Sequence, residues 1–379
     1  VKITDVKASA LEVPFHEPGL YLFGSKRPMK TLNVIFVEVF TDEGITGIGV
    51  QEGHPAVCIP TIRDLVAPYL IRNEISPFDT EVISSFLRRL QLRAAQASAV
   101  EVAAWDIVGK ACGQPISKLL GGFRDRIKAY ASTGEHRSPE RRVEDVYDYM
   151  ERGFKALKLK ARQENPMEIV SIVEAIRKAV GDKIEIMVDC VYARGNELDS
   201  PPPWTLSTAL KVGRHLQELD VLWLEEPMVR TDKEGLATLC RELDMPIAGG
   251  EGEYGIYTYR DLLKENVYDI IQCDVTLSGG FSETKKIAAL AQAHNRWCIP
   301  HGWSVGIGLI ANLHLACSSP NCPYFEYTLE PPAFEIDMRD VVMTEPLLAV
   351  DGYVSLPTGP GLGVELNREA IERYTVSGP

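Results

Sequence analysis

From about residue 126 onward, short apolar runs alternate with helical segments at a near-constant interval, and no other feature constrains the fold so strongly. The runs cover 128–133, 156–160, 184–189, 221–225, 246–250, 269–274, 297–301 and 323–327. Eight strands alternating with helices predict a parallel β/α barrel. An open doubly wound sheet is the structural alternative. Helix signals fall between the runs. Asn165-Pro166 reads as an N-cap followed by a first-position Pro, Gly181 as the stop of that helix, and Ser282 as the cap of a helix running to His294. The eighth run leads into Glu330-Pro331-Pro332 rather than into a clear eighth helix.

The first third has a different rhythm. Residues 1–13 alternate like a half-buried strand, and 32–40 with 45–50 form a hairpin across the turn Asp42-Glu43-Gly44. Helices are expected near 56–71, 77–92 and 95–112, the last ending before Gly113. The loop-rich C-terminal tail is expected to pack back on this region. The implied division is 1–125, 126–327 and 328–379.

Charge and cysteine usage narrow the function class. A net charge of -13 offers no phosphate-tracking basic surface, so nucleic acid is not an expected partner and the acidity reads as solubility. Eight cysteines without a CxxC pair fit a reducing cytoplasm rather than a disulfide scaffold. The apolar stretch from Val305 to Cys317 is short and holds Asn312 and His314, so no membrane span is expected. The segment Val1 to Asp5 reads as a strand, not a signal peptide.

The chemistry lies at the ends of the runs. The second run ends in Lys158-Leu159-Lys160, the third in Asp189, the fourth in Glu225, the fifth in Glu251, the sixth in Asp274, the seventh in His301 and the eighth in Glu326. Any one of these alone would read as a cap or a solvated side chain. Seven in succession, each about one β/α unit from the last, point to the barrel face where strand C-termini converge. Asp189, Glu225 and Glu251 form a hard, all-oxygen donor set that suits Mg²⁺ and disfavours Zn²⁺. Without a metal, such carboxylates would repel and some would stay protonated. Lys160 becomes a base if burial and the Lys158 ammonium lower its pKa, and Asp274 can orient His301. These groups suit abstraction of a proton next to a carboxylate, with Glu326, if protonated, donating to the developing oxyanion.

The same residues, in this order, resemble the mandelate racemase subgroup of the enolase superfamily, whose Lys or His base with Mg²⁺ is a known pattern. The resemblance extends through Ala104-Trp105-Asp106-Ile107-Val108-Gly109-Lys110, Gly113-Gln114-Pro115, Leu119-Leu120-Gly121-Gly122, Leu-Glu-Glu-Pro, Ile-Pro-His-Gly and Pro360-Gly361-Leu362-Gly363-Val364. It implies an α/β fold, a modified TIM barrel (β/α)₇β, with an α+β capping domain built from both ends of the chain. It implies one Mg²⁺ on Asp189, Glu225 and Glu251, with Lys160 and the His301–Asp274 dyad as the two bases. Lys158 would contact the substrate carboxylate, and Glu226 would be structural. A homo-oligomer, from dimer to octamer, is also implied. One departure is Val191, where relatives often carry a substrate-contacting Asn; Tyr192 or Arg194 are candidate replacements. In this family cap loops usually set specificity. Here these are residues 15–30, with Tyr21, Phe23, Lys26 and Arg27, and 51–56, with His54. His136 could face the barrel mouth.

The expected reaction is dehydration of an aldonic or aldaric acid to a 2-keto-3-deoxy acid. Racemisation or epimerisation of an α-hydroxy acid uses the same groups and stays open, as does a non-catalytic barrel. Cycloisomerisation is disfavoured, because those relatives typically place Lys on the sixth strand, where this chain has Asp274.

Overall fold

The computed structural model describes residues 1–22, 27–90, 97–191 and 201–376. Strand β1 (Ile3–Pro14) pairs antiparallel with β2 (Thr31–Thr41), and β2 with β3 (Thr46–Gln51). A helical run covers Pro55–Pro60, a wider π-turn segment Thr61–Val66, and Ala67–Arg72. Helices Thr80–Arg89 and Ser98–Cys112 follow, the latter closed by Gly113 at φ 63. The sheet and the last helix approach closely because of two glycines. A Cβ on Gly47 or Gly49 would lie 2.0 or 2.1 Å from the carbonyl oxygens of Ala103 and Ala99.

The second region is a closed barrel. Strands β4 (Arg126–Ser132), β5 (Ala156–Lys160), β6 (Glu185–Asp189), β7 (Val221–Glu225), β8 (Ile247–Gly249), β9 (Ile270–Ile271) and β10 (Trp297–Cys298) pair in chain order, all parallel. Strand β11 (Tyr324–Thr328) returns to pair with β4, which excludes the open sheet. Between β10 and β11, the Cys298 N–H donates to the Asn321 carbonyl at 3.0 Å. A helix links each strand to the next and none follows β11 in that role, so the architecture is (β/α)₇β.

Alternation along each strand sends every second side chain inward. The interior holds an apolar cluster of Tyr130, Ala156, Met187, Trp223, Ala248, Ile270, Ile299 and Tyr324, one contribution from each strand position around the circle. This apolar cluster separates the polar groups at the C-terminal strand ends from a second polar group at the opposite end, where Lys128 pairs with Glu185 and the Tyr324 hydroxyl donates to Glu185 at 3.0 Å.

Two helix starts differ from the sequence reading. The helix after β5 begins at Glu168, and Asn165 instead accepts from the Met167 N–H at 3.1 Å in the preceding turn. Ser282 lies inside helix Gly280–Ala293 rather than capping it. The cap comes from elsewhere in the chain. Glu101, buried on helix Ser98–Cys112, accepts from the backbone N–H groups of Phe281 (2.7 Å) and Ser282 (2.9 Å) and from Trp105 Nε1 (2.9 Å). A carboxylate at a helix N-terminus answers its orphan donors and its dipole, so this contact ties the first region to the barrel.

The C-terminal tail touches both. Strand β12 (Ala349–Val350) pairs with β13 (Tyr353–Ser355), β13 pairs antiparallel with β4, and β14 (Thr375–Val376) joins the outer edge of β1. His314, fully buried on helix Gly306–Ser318, accepts from the Ser117 N–H and meets the Leu362 carbonyl, at 3.1 Å each, so one ring bridges barrel, first region and tail. Among the described residues, no helix is long and apolar enough to cross a membrane.

Two stability predictions follow from these bridges. Glu101→Ala leaves two helix-start N–H groups without their acceptor and should cost about 3 kcal/mol, with Glu101→Gln costing less; chemical denaturation of both variants beside the parent checks this. Burial pushes His314 down to about 4, from 6.5, so the folded chain holds the neutral ring. Its contribution is complete above pH 6.5 and is lost as pH falls toward 4, about 3 kcal/mol in all, because the unfolded chain binds the proton first. His314→Gln should flatten thermal stability across that window.

Candidate active site at the barrel mouth

Strand register brings the first functional groups together. Lys160 is the lateral partner of Asp189, and Asp189 of Glu225, so three inward side chains stand side by side on β5, β6 and β7. Lys158 lies two residues before Lys160 and therefore shares its face. Glu251, Asp274 and His301 lie just beyond β8, β9 and β10, and Glu326 lies within β11. All eight side chains are buried.

Their contacts form one ionic network. Lys158 Nζ is 2.8 Å from Glu225, 2.7 Å from Glu326 and 3.5 Å from Asp189. Lys160 Nζ is 2.5 Å from Asp189. His301 Nδ1 is 2.8 Å from Asp274, and its Nε2 is 3.2 Å from Glu251. Burial works against charge on Lys158, but Glu225 and Glu326 outweigh it and hold the ammonium well above its usual range. Burial would likewise raise Asp189, but Lys160 and Lys158 hold it below the carboxylate range. Glu225 is pushed up to about 7, by burial first and the Asp189 charge next. For His301, Glu251 and Asp274 overcome burial and lift the ring to about 10.

Glu326 differs from the protonated donor expected from the sequence. It accepts from Ser132 Oγ (2.6 Å) and the Gly302 N–H (2.9 Å), and Lys158, then His301, outweigh burial to hold it below its ordinary value. In this arrangement it is an ionised acceptor.

Whether the trio fits a divalent cation is a question of chemistry and charge. Among the described residues, no three His, Cys, Asp or Glu side chains form a ready-made metal cage. Asp189, Glu225 and Glu251 instead turn to Lys160, Lys158 and His301. The donors themselves are all oxygen and buried, as Mg²⁺ requires. The network is also short of positive charge. Glu226 Oε2 is buried without a hydrogen-bond partner, and burial with the nearby Glu251 and Asp189 charges drives its carboxyl well above the usual range. A cation among these carboxylates would relieve that imbalance, so the residues fit the ion.

The proposed cap residues are less concentrated. Phe23 and Lys26 lie outside the described residues, as do Tyr192 and Arg194. Tyr21 is exposed, and its backbone N–H donates to Glu135 at 3.0 Å, docking the loop on the segment after β4. Arg27 is exposed. His54 caps helix Pro55–Pro60 through Nδ1, which accepts from the Ala56 N–H at 3.3 Å. Val191 carries φ 53, a left-handed conformation costly for a β-branched residue, and its N–H donates to Asp189 Oδ1 at 2.9 Å.

Several residues at the mouth were not singled out from the sequence. Ser132 bonds Glu326, and Trp303 Nε1 donates to Ser132 at 3.2 Å while its ring faces Lys160 Nζ at 5.5 Å. Trp303 stands two residues after His301, and that short spacing was the available signal. Asn312 bonds Asp274 from a helix, and no local spacing marks it. His136 does reach the mouth region: its Nε2 accepts from the Arg162 N–H at 3.0 Å, and burial, then Arg142, push the ring down to about 4.

Barrel, cap and charged mouth together define an enolase-type barrel enzyme. Residues 4–121 match the mandelate racemase / muconate lactonizing enzyme N-terminal domain, and residues 141–370 match the enolase C-terminal domain-like family. The chain belongs to the mandelate racemase / muconate lactonizing enzyme family of the enolase superfamily. It is 32% identical to the arabinonate dehydratase of Saccharolobus solfataricus, over 90% of this chain and 91% of that one. It is 33% identical to the D-galactarolactone cycloisomerase of Agrobacterium fabrum, over 100% of both. A solved racemase from Streptomyces coelicolor A3(2) with bound magnesium superposes with a TM-score of 0.84 at 26% identity, covering 99% of this chain and 100% of that one. A cycloisomerase thus stands beside a dehydratase among the relatives, and the sixth-strand argument against cycloisomerisation loses its force.

A carboxylate ligand must be ionised to bind metal. With Glu225 pushed up to about 7, a Mg²⁺ ion that used it as a ligand would bind about tenfold more weakly per pH unit below that point, its affinity levelling off above it. Calorimetric titration across this range checks the slope, and Asp189→Asn should abolish the binding heat.

Proposed function

We propose that this enzyme removes the α-proton of an aldonic or aldaric acid in a Mg²⁺-dependent reaction and expels the β-hydroxyl, giving a 2-keto-3-deoxy acid. The observation that carries this reading is the flanking of one buried carboxylate trio by two basic groups, Lys160 beside Asp189 and His301 beside Glu251. Mg²⁺ held by Asp189, Glu225 and Glu251 would supply positive charge against the negative charge that builds on the substrate carboxylate. With those carboxylates committed to the cation, Lys160 Nζ and His301 Nε2 would lose their present partners and face substrate. One would take the α-proton, and the other would give a proton to the departing hydroxyl. Asp274 on Nδ1 fixes which ring nitrogen does this work. Lys158, charged and buried, would meet the substrate carboxylate. The apolar cluster inside the barrel excludes water beneath the reacting carbon and strengthens each of these interactions.

The 33% identity to a lactone cycloisomerase favours a second reading, in which the same proton abstraction opens a sugar-acid ring. Proton NMR in D₂O with Mg²⁺, against a panel of sugar acids and their lactones, separates the two. Loss of the α-proton signal with a 2-keto-3-deoxy product from an open-chain acid supports dehydration. Turnover confined to lactones moves the assignment to cycloisomerase, and a new stereoisomer without elimination moves it to epimerase. Lys160→Met and His301→Asn should each lower kcat by at least about 10²-fold while leaving Mg²⁺ binding in place.

A further inference from the structure

Helix Gly306–Ser318 is buried along its whole length and almost entirely apolar, yet it carries Asn312 at 0% exposure. An amide in such a place costs free energy unless its hydrogen bonds are made. The nearest local acceptor, the Gly308 carbonyl one turn back, lies at 3.4 Å and is a weak partner. The strong bonds reach another element. Asn312 Nδ2 donates to Asp274 Oδ1 at 2.9 Å, and Asn312 Oδ1 accepts from the Val275 N–H at 2.8 Å. The two bonds use opposite ends of the amide and fix its orientation, because a flipped amide would set donor against donor and acceptor against acceptor.

Asp274 is thereby gripped from two sides. Its Oδ1 also accepts from the Thr276 N–H (2.7 Å) and hydroxyl (2.8 Å), a local turn that an aspartate at a strand end can make by itself. That turn sets the carboxylate only relative to its own loop. Its Oδ2 meets His301 Nδ1, and His301 belongs to the segment between β10 and helix Gly306–Ser318. Asn312 is the group that refers Asp274 to the helix behind His301, so one amide registers both halves of the dyad.

We infer that Asn312 is a positioning residue for the His301–Asp274 dyad, holding Asp274 so that His301 keeps its Nδ1–H on Asp274 Oδ2 and presents Nε2 to the substrate. The use of the dyad as a base rests on the function proposed above; the Nδ1–H bond to Asp274 does not. Lys160 stands on β5 and pairs with Asp189 on β6, three strands round the barrel from the β9 end that Asn312 holds. Loss of Asn312 should therefore damage one of the two basic groups and spare the other.

The test has two arms, both on the full chain with Mg²⁺. The first is long-range proton–nitrogen NMR of ¹⁵N-histidine protein, with His301 assigned by its disappearance in His301→Gln. The parent should show an Nδ1–H at His301 that exchanges slowly with water, whatever the protonation of Nε2. Asn312→Ala should speed that exchange, with the His314 and His136 patterns unchanged; Asn312→Ser, which keeps a polar group in the helix, serves if alanine does not fold. The second arm follows C2-proton exchange in D₂O for C2-epimeric aldonates, D-gluconate with D-mannonate and D-galactonate with D-talonate. Exchange on the face served by His301 should fall by roughly a hundredfold, and exchange on the face served by Lys160 should persist. An unchanged His301 pattern in the variants, or equal loss on both faces, overturns the inference. An intact, slowly exchanging Nδ1–H in a parent that exchanges no substrate counts against the proposed function alone.

Discussion

Lateral register between parallel strands is the constraint on which the site depends. In a parallel pair, residues in register point to the same side of the sheet, and closure of the barrel makes that side the interior. Once Lys160 is opposite Asp189 and Asp189 opposite Glu225, a cation and two carboxylates must share one small volume. A one-residue slip in β6 would turn Asp189 toward the helices and break both partnerships. The apolar cluster beneath, from Tyr130 to Tyr324, makes that register expensive to change, since each of those side chains would leave the core together.

The buried charges carry a corresponding cost. Lys158 answers Glu225 and Glu326, Lys160 answers Asp189, and His301 answers Asp274 and Glu251, while Glu226 keeps an oxygen without a donor. Breaking one partnership in such a network strands the other member in low dielectric. The arrangement therefore resists loss of a charge and accepts gain of one, which is the property a cation site between Asp189, Glu225 and Glu251 requires.

The cap region and the barrel share one apolar cluster, in which Leu11, Val34, Ile48 and Val102 pack with Val305, Ile307 and Leu309, and a few polar contacts fix how the two regions meet. Glu101 caps a barrel helix, His314 joins three segments, and Glu135 receives the Tyr21 N–H from the first loop. Glu135 is itself held by Arg137, and Arg137 and Arg142 both pair with Glu330 after β11. The loop that carries the candidate specificity residues is thus anchored to the two strands, β4 and β11, at which the barrel closes. This gives substrate recognition and barrel closure a shared set of ion pairs.

The alternation of strand and helix, the eight strand positions and the ionisable residues that end seven of the eight runs were legible in the chain alone, because apolar periodicity and strand-end chemistry are local properties. Val221 to Glu225 reads as a strand ending in a carboxylate without knowledge of its neighbours. Which helix start Glu101 caps, which oxygen Asn312 holds, and that Glu326 is an ionised acceptor on Lys158 rather than a protonated donor follow from the folded arrangement alone. Each of these is a contact between residues far apart in the chain, and its strength depends on burial and on partners that no local pattern encodes. Ser282 illustrates the limit. As a serine before a helical stretch it looked like the cap, but a buried carboxyl 181 residues away holds its N–H, since the two oxygens of Glu101 take the Phe281 and Ser282 N–H groups together, which one serine hydroxyl cannot.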